Sequence, residues 1–167
     1  MRALMISGDQ FEDVELLAPR YRLLEAGIRV DVAAPTTATI TGKKGYEVEV
    51  DCAVADTDPD PYQVLVLPGG KAPASLRDDP AILERVRHFM DADKVVAAIC
   101  HGPQLLVSAD RVRGRRLTAH QAVLEEIRTA GGEAVDEEVV IDGGLVTSRV
   151  PKDIPAWLRE MMTLIER

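Results

Sequence analysis

The segment Val95-Val96-Ala97-Ala98-Ile99-Cys100-His101-Gly102 decides the fold, because it joins an apolar run directly to a cysteine and a following helix. Residues 95–99 have the composition of a buried parallel strand, and residues 103–109 are predicted to be helical. Ala98 and Gly102, two residues before and two after Cys100, complete the small-x-nucleophile-x-small pattern of a nucleophile elbow. This turn is too tight for bulky residues at those two positions. Such a turn lifts the sulfur above the sheet edge at a helix N-terminus, which favours the reactive thiolate.

Apolar, β-prone runs alternate with helical patterns on both sides of this segment. The predicted strands are residues 2–7, 29–34, 64–67, 95–99 and 116–118. Apolar residues at helical spacing predict helices within 14–24, 80–92, 103–109, 122–130 and 154–165. Hairpins are predicted at 38–50 and 139–147, and a surface loop at 56–61. The alternation predicts an α/β sandwich with a mostly parallel sheet and a functional site at the carboxyl ends of its strands.

The composition is that of an ordinary globular chain. Its 167 residues, 46% hydrophobic but only 4% aromatic, predict a single domain over residues 1–167 with an aliphatic core. The formal net charge of −8 argues against a nucleic-acid partner, and no apolar run approaches the ~20 residues that span a bilayer. Two cysteines without disulfide or metal-ligand spacing, and a start without a signal-peptide pattern, predict a cytoplasmic protein with reduced thiols.

Cysteine chemistry is the function that the pattern favours. Cys100 is the candidate nucleophile, whereas Cys52 lies between strands without a nearby base and is interpreted as a small apolar residue. Gly69 and Gly70 follow the strand at 64–67 and offer backbone N–H groups without side chains. Together with the N–H of His101 they are candidates for an oxyanion hole, although a plain turn would have the same sequence.

The remaining candidates are one carboxylate and two histidines. Glu12 precedes the first helix, where it either caps free N–H groups or exchanges a proton with Cys100, and spacing does not separate these interpretations. His101 adjoins the nucleophile, and His120 follows another strand end, where a structural role is equally open. His88 lies within a predicted helix and is interpreted as a surface residue.

Four motifs occur along the chain in an order that resembles the PfpI family, the branch that contains intracellular protease I and the protein deglycases. They are Asp9-Gln10-Phe11-Glu12-Asp13-Val14-Glu15, Pro68-Gly69-Gly70, Ala98-Ile99-Cys100-His101-Gly102-Pro103-Gln104 and Thr147-Ser148-Arg149-Val150-Pro151. The resemblance covers essentially the whole chain. It implies peptide hydrolysis, glutathione-independent glyoxalase activity or deglycation of methylglyoxal adducts.

The resemblance also implies a fold, an assembly and roles for single residues. The fold is a flavodoxin-like three-layer sandwich, and the assembly is a homo-oligomer, at least a dimer and often a hexamer. Glu12 is expected to hydrogen-bond Cys100, and Gly70 and His101 are expected to supply the oxyanion N–H groups. Arg149 lies in a motif that packs near the site in relatives, and an ordinary salt bridge is its other interpretation.

The chain departs from the family pattern at Ala74, where protease-type members carry an acid that reaches a histidine of a neighbouring subunit. The nearest acids in this sequence are Asp78 and Asp79. A histidine without an orienting carboxylate is a poorer base, because its tautomer and ring position are not held. The departure therefore argues against proteolysis and leaves Glu12 and Cys100, the pair that aldehyde chemistry needs.

Three hypotheses follow. The first is a cysteine-dependent enzyme acting on small reactive aldehydes such as methylglyoxal, or on their protein adducts, without a metal or organic cofactor. The second is an intracellular cysteine peptidase or amidase, and the third is a non-enzymatic thiol redox sensor or stress chaperone. A glutamine amidotransferase is excluded, because no histidine follows His120 and Ala122 stands where its glutamate would be. A transcription regulator would need a further DNA-binding domain, for which there is no room.

Overall fold

A computed structural model describes residues 1–167 as eleven strands, six helices and three short 3₁₀ turns. The strands are β1 (Arg2–Ile6), β2 (Arg29–Ala34), β3 (Ile40–Thr41), β4 (Glu47–Val48), β5 (Cys52–Ala53), β6 (Val64–Leu67), β7 (Val95–Ile99), β8 (Arg116–Leu117), β9 (Glu133–Ala134), β10 (Val139–Asp142) and β11 (Leu145–Ser148). The helices are α1 (Asp13–Glu25), α2 (Ala72–Leu76), α3 (Pro80–Asp91), α4 (Gln104–Ser108), α5 (Leu124–Thr129) and α6 (Ile154–Ile165).

Seven strands form the central sheet in the order β10-β11-β7-β6-β1-β2-β5. Every neighbouring pair is parallel except β10 and β11, which form the second predicted hairpin. Helices α1 and α6 pack together on one face, and α2, α3, α4 and α5 form a connected layer on the other. The predicted α/β sandwich with a mostly parallel sheet is thereby confirmed.

The central strands form because their side chains are apolar on both faces of the sheet. All four residues of β6 are buried, as are the last four of β1 and of β7. A parallel sheet covered by helices on both faces requires such continuous apolar runs. They belong to a core cluster of 45 buried residues whose largest side chains include Trp157, Phe11 and Phe89.

Helix α3 illustrates how local signals set the helix boundaries. Asp79 caps its N-terminus by accepting a hydrogen bond from Ala81 N at 2.9 Å, and Pro80 occupies the first turn, where its missing N–H is harmless. Buried Ile82, Val86 and Phe89 recur at helical spacing and face the sheet.

The structure adds three short elements to the prediction and shortens others. Helix α2 and the two-residue strands β5 and β9 were not predicted, because so few residues carry no periodic signal. Helix α4 is two residues shorter than the predicted 103–109, and α5 begins only after the 3₁₀ turn Gln121–Val123. The first hairpin is present as β3 and β4, with Ile40 opposite Val48. No helix of the structure is both long enough and apolar enough to cross a bilayer.

Candidate active site

The predicted nucleophile elbow lies at the carboxyl end of β7. Cys100 has φ 62°, a left-handed conformation that is strained for a residue with a side chain. Its backbone is held on both sides, because its N–H donates to Ser148 O at 3.0 Å and its C=O accepts from His120 N at 2.9 Å. A Cβ at Gly102 would lie 2.2 Å from Leu67 O, so the turn excludes any larger residue there.

Cys100 is surrounded by groups that interact with its sulfur. The Glu15 side chain reaches the thiol, and Glu15 Oε1 also accepts a hydrogen bond from Gly69 N at 3.0 Å. A Cβ at Gly69 would lie 2.6 Å from that oxygen and 2.8 Å from Cys100 Cβ, so glycine makes the approach possible. The backbone N–H groups of Gly70 and His101 both point at the sulfur, and His101 Nδ1 lies 3.3 Å from it.

Burial controls the protonation of this pair. Glu15 is fully buried, which raises the pKa of its carboxyl to about 7, partly offset by the hydrogen bond from Gly69. Burial also raises the pKa of the Cys100 thiol, and the nearby Glu15 charge raises it further. Both effects oppose the free thiolate that the helix N-terminus was expected to favour, and the backbone N–H groups of Gly70 and His101 offset them only in part. Above about pH 7 the Glu15 carboxyl therefore loses its proton while the Cys100 thiol keeps its own.

Glu12 does not make the expected hydrogen bond to Cys100, and it does not cap α1 either. Its Oε2 atom lies 2.9 Å from Lys43 Nζ, on the loop between β3 and β4. Glu15 takes the place beside the sulfur because it lies one turn further along, next to Leu16, on the face that α1 turns toward the sheet. That helical position was the sequence signal that could have identified Glu15.

The two histidines near the elbow stack on each other. Their ring centroids are 4.5 Å apart with an interplanar angle of 24°. Burial, followed by the charge of His120, lowers the pKa of His101, so its imidazole is neutral at physiological pH. His120 Nδ1 accepts a hydrogen bond from Ala122 N at 3.1 Å, and no carboxylate hydrogen-bonds either ring.

An open cavity of about 840 Å³ brings most of the candidate residues together. Cys100, His101, His120, Gly70 and Glu12 all line it. Its wall also includes Lys43, Lys71 and Ala74, the last at the position where an acid was expected. The cavity lies at the carboxyl ends of the parallel strands, where a sheet of this kind places its site.

Arg149 lies outside this cavity. It bonds Asp153 Oδ2 at 2.9 Å and Asp136 Oδ1 at 3.0 Å, and it lines a separate depression that shares His120 and Val150 with the main cavity. The contacts of Arg149 are therefore those of an ordinary salt bridge.

The other candidate residues lie elsewhere. Cys52 is half-buried in β5 and lines another depression beside Tyr62, and His88 is partly exposed next to Asp60. No group of three or more His, Cys, Asp or Glu side chains is arranged to bind a metal ion.

Comparison with known proteins places this chain in a family. The model of the DJ-1/PfpI family matches residues 1–164. The chain belongs to the DJ-1/PfpI family. The resemblance inferred from the four sequence motifs is thereby confirmed.

Several members of the family are similar along their whole length. A protein of Pyrococcus abyssi named a deglycase is 48% identical over 166 residues, which cover 99% of this chain and 100% of the relative. Protein/nucleic acid deglycase 2 of Escherichia coli is 42% identical over 160 residues, or 94% and 93% of the two chains. These relatives support an enzyme of the PfpI type.

A solved structure of the same fold comes from Anabaena variabilis. It is a two-domain protein containing DJ-1/ThiJ/PfpI-like and ferritin-like domains, and it superposes with a TM-score of 0.96 at 30% identity. The match covers 99% of this chain but only 48% of the two-domain chain, so this chain spans about half of that protein. The superposition supports the flavodoxin-like sandwich.

Proposed function

We propose that the protein is a cysteine-dependent deglycase that removes methylglyoxal-derived groups from amines. The observation that carries the proposal is the position of the Cys100 thiol beside the buried Glu15 carboxyl, with the N–H groups of Gly70 and His101 directed at the sulfur. The nucleophile and the residues of the two oxyanion donors thus line one cavity, and the proton acceptor Glu15 is buried next to the nucleophile. The deglycase names of the relatives support the same assignment.

The first step forms a carbon–sulfur bond and breaks a carbon–nitrogen bond. The Cys100 sulfur attacks the carbon that carries the hydroxyl and the amine, and the amine leaves. Glu15 takes the thiol proton and returns it to the departing nitrogen, so charge does not accumulate. The product is a hemithioacetal on Cys100, whose oxygen is stabilised by the N–H groups of Gly70 and His101.

The second step moves a proton between the two neighbouring carbons of the hemithioacetal. Glu12 is proposed for this transfer because its carboxylate lines the cavity and is not buried beside the sulfur. The transfer converts the hemithioacetal to a lactoyl thioester. Water then cleaves the thioester, which releases lactate and restores the thiol. With free methylglyoxal the Cys100 sulfur adds directly to the aldehyde carbon, with no leaving group, and the same proton transfer and hydrolysis then constitute glyoxalase activity.

The peptidase hypothesis has less support. Peptide hydrolysis needs a base strong enough to serve an amide leaving group, and His101 has no carboxylate partner. Ala74 lines the cavity at the position of the expected acid and supplies none.

The test compares Cys100→Ala with Cys52→Ala. Lactate and free amine are measured with a methylglyoxal-treated peptide, and lactate alone with free methylglyoxal. We expect Cys100→Ala to lose activity by on the order of a thousandfold or more, because the nucleophile is absent. Cys52→Ala should keep it, since Cys52 lies in a different depression. Equal activity of the Cys100→Ala protein would rule out the proposed chemistry.

A further variant tests the proposed role of Glu12. Glu12→Gln is expected to stop lactate formation while leaving alkylation of Cys100 by iodoacetamide intact, because Glu12 acts on carbon and not on sulfur. Unchanged turnover in this variant would remove Glu12 from the mechanism.

A further inference from the structure

The cavity is much larger than a three-carbon aldehyde requires. Its volume of about 840 Å³ lies in the range of pockets that enclose drug-sized ligands, roughly 300–1,000 Å³. Methylglyoxal has five non-hydrogen atoms and would fill a small part of it. The remaining space is suited to the amine-bearing part of an adduct, so the residues that line it determine which amines are accepted.

The cavity wall is richer in cations than the rest of the molecule. Lys43 and Lys71 both line it, whereas Glu12 is the one acidic lining residue. The whole chain carries a formal net charge of −8. Two ammonium groups against one carboxylate leave the charged side chains of this lining net positive in an acidic protein, which favours the binding of anions there.

Lys43 is held in position by a braced hairpin. Its backbone N–H donates to Phe11 O at 2.9 Å, at the entry to α1. The buried Asp13 carboxylate accepts hydrogen bonds from Lys44 N at 2.8 Å and Tyr46 N at 3.0 Å, which ties the loop to the helix. The loop therefore presents the Lys43 side chain to the cavity at little further entropic cost.

The Lys43 ammonium also has unused hydrogen-bonding capacity. One of its three N–H donors bonds Glu12 Oε2 at 2.9 Å, which leaves two donors for a ligand. The bond to Glu12, followed by the charges of Cys100 and Glu15, raises the pKa of Lys43, so the amine stays protonated. An ammonium group of this kind binds carboxylate or phosphate oxygens and does not itself attack an aldehyde.

We propose that Lys43 is a specificity-determining residue that binds an oxoanion, a carboxylate or a phosphate, on the amine-bearing part of the adduct. The enzyme should then prefer adducts of nucleotides, or of amino acids with a free carboxylate, to adducts of amines that carry no anionic group. The inference rests on the deglycase function proposed above, and the experiment keeps the two separable.

The primary test uses two alkylating agents of nearly the same shape. Iodoacetate carries a carboxylate where iodoacetamide carries a neutral amide, and both react with Cys100 by displacement of iodide. The ratio of their rate constants at Cys100 is measured by mass spectrometry for the wild type, Lys43→Met, Lys43→Arg and Lys44→Met. Lys44 is the matched control, because it is the exposed neighbour on the same loop and does not line the cavity.

We expect Lys43→Met to lower the iodoacetate-to-iodoacetamide ratio by about fivefold or more, as the loss of one charge-assisted contact at a partly exposed site predicts. Lys43→Arg should retain most of the ratio, and Lys44→Met should retain all of it. A ratio that is the same in Lys43→Met and in the wild type, or that falls equally in Lys44→Met, overturns the inference. Circular dichroism confirms that each variant is folded.

A second measurement identifies the oxoanion and separates the two proposals. Turnover is compared for methylglyoxal adducts of Nα-acetyllysine and its amide, and of guanosine monophosphate and guanosine. A preference for the charged member of either pair that is lost in Lys43→Met supports the inference and names carboxylate or phosphate. Equal turnover of charged and neutral adducts overturns it while the proposed function stands. If the wild type turns over none of these adducts while Lys43→Met still lowers the iodoacetate-to-iodoacetamide ratio, the deglycase function is rejected and anion binding by Lys43 stands.

Discussion

The chemistry of single residues at this site depends on a carboxyl group that is fully buried beside a thiol. Glu15 has a hydrogen bond from Gly69 but no cation of its own, and its Oε2 atom has no hydrogen-bond partner. A buried carboxylate without a cation is costly to ionise, so the pKa of Glu15 rises to about 7. This value makes Glu15 able to exchange a proton with Cys100 at neutral pH.

The residue-scale prediction concerns the pH dependence of Cys100 alkylation by iodoacetamide. We expect the rate to rise between pH 7 and pH 10 without levelling off, because burial and the Glu15 charge raise the pKa of the thiol to about 12. Glu15→Gln should shift this rise to lower pH, since it removes the negative charge beside the sulfur, and Glu12→Gln should leave it nearly unchanged, since the Glu12 charge has a smaller effect. A profile that is the same in Glu15→Gln and in the wild type would show that Glu15 does not govern the thiol.

At the scale of elements, the site depends on how the loop between β3 and β4 is attached to α1. The attachment uses backbone groups of the loop and the side chain of Asp13, which is buried at the start of the helix. The packing is close, since a Cβ at Gly42 would lie 2.5 Å from Asp13 Oδ1. The hairpin therefore belongs structurally to the site although it lies outside the central sheet.

Asp13→Ala should release this hairpin without unfolding the sheet. Two backbone N–H groups, those of Lys44 and Tyr46, lose their acceptor, at a cost of about 1–3 kcal/mol each. We expect faster amide hydrogen exchange at these two residues and a lower iodoacetate-to-iodoacetamide ratio at Cys100. Glu47→Ala, an exposed change on β4, is the control. Unaltered exchange in Asp13→Ala would show that the hairpin is held by its other contacts.

At the scale of the whole molecule, the sheet order brings distant segments to one edge. Strands β1, β6 and β7 are neighbours, so the segments that follow them meet although they lie far apart in the chain. A core of 45 buried residues supports this edge and makes the burial of Glu15 tolerable. As a consequence of this burial, the free energy of unfolding depends on pH.

The global free energy of unfolding should report this burial. The pKa of Glu15 is raised from 4.5 to about 7 on folding, so its contribution to stability is present below pH 4.5 and is lost as pH rises to 7. The loss amounts to about 3 kcal/mol at 1.36 kcal/mol per pH unit. Urea titrations of wild type and Glu15→Gln at pH 4.5 and pH 8 measure it. The variant should gain stability relative to the wild type at the higher pH, and a constant difference between the two pH values would contradict the assignment.

The strongly patterned elements were predictable from the sequence by itself. Residues 29–34, 64–67 and 95–99 were predicted as strands with the bounds that the structure has, because buried parallel strands are continuous apolar runs. The last helix, Ile154–Ile165, follows from its amphipathic spacing. The elbow at Cys100 was also predictable, because the small residues that such a tight turn requires lie within two positions of the cysteine in the sequence.

Tertiary structure alone decided which groups reach the sulfur. Glu12 and Glu15 are three residues apart, and only the packing of α1 against the sheet edge places Glu15 beside Cys100 and turns Glu12 to Lys43. The stacking of His101 on His120 likewise depends on the contact between two separate chain segments. Local patterns specify backbone conformation and burial, whereas contacts between side chains depend on the relative placement of elements, which no short stretch of sequence contains.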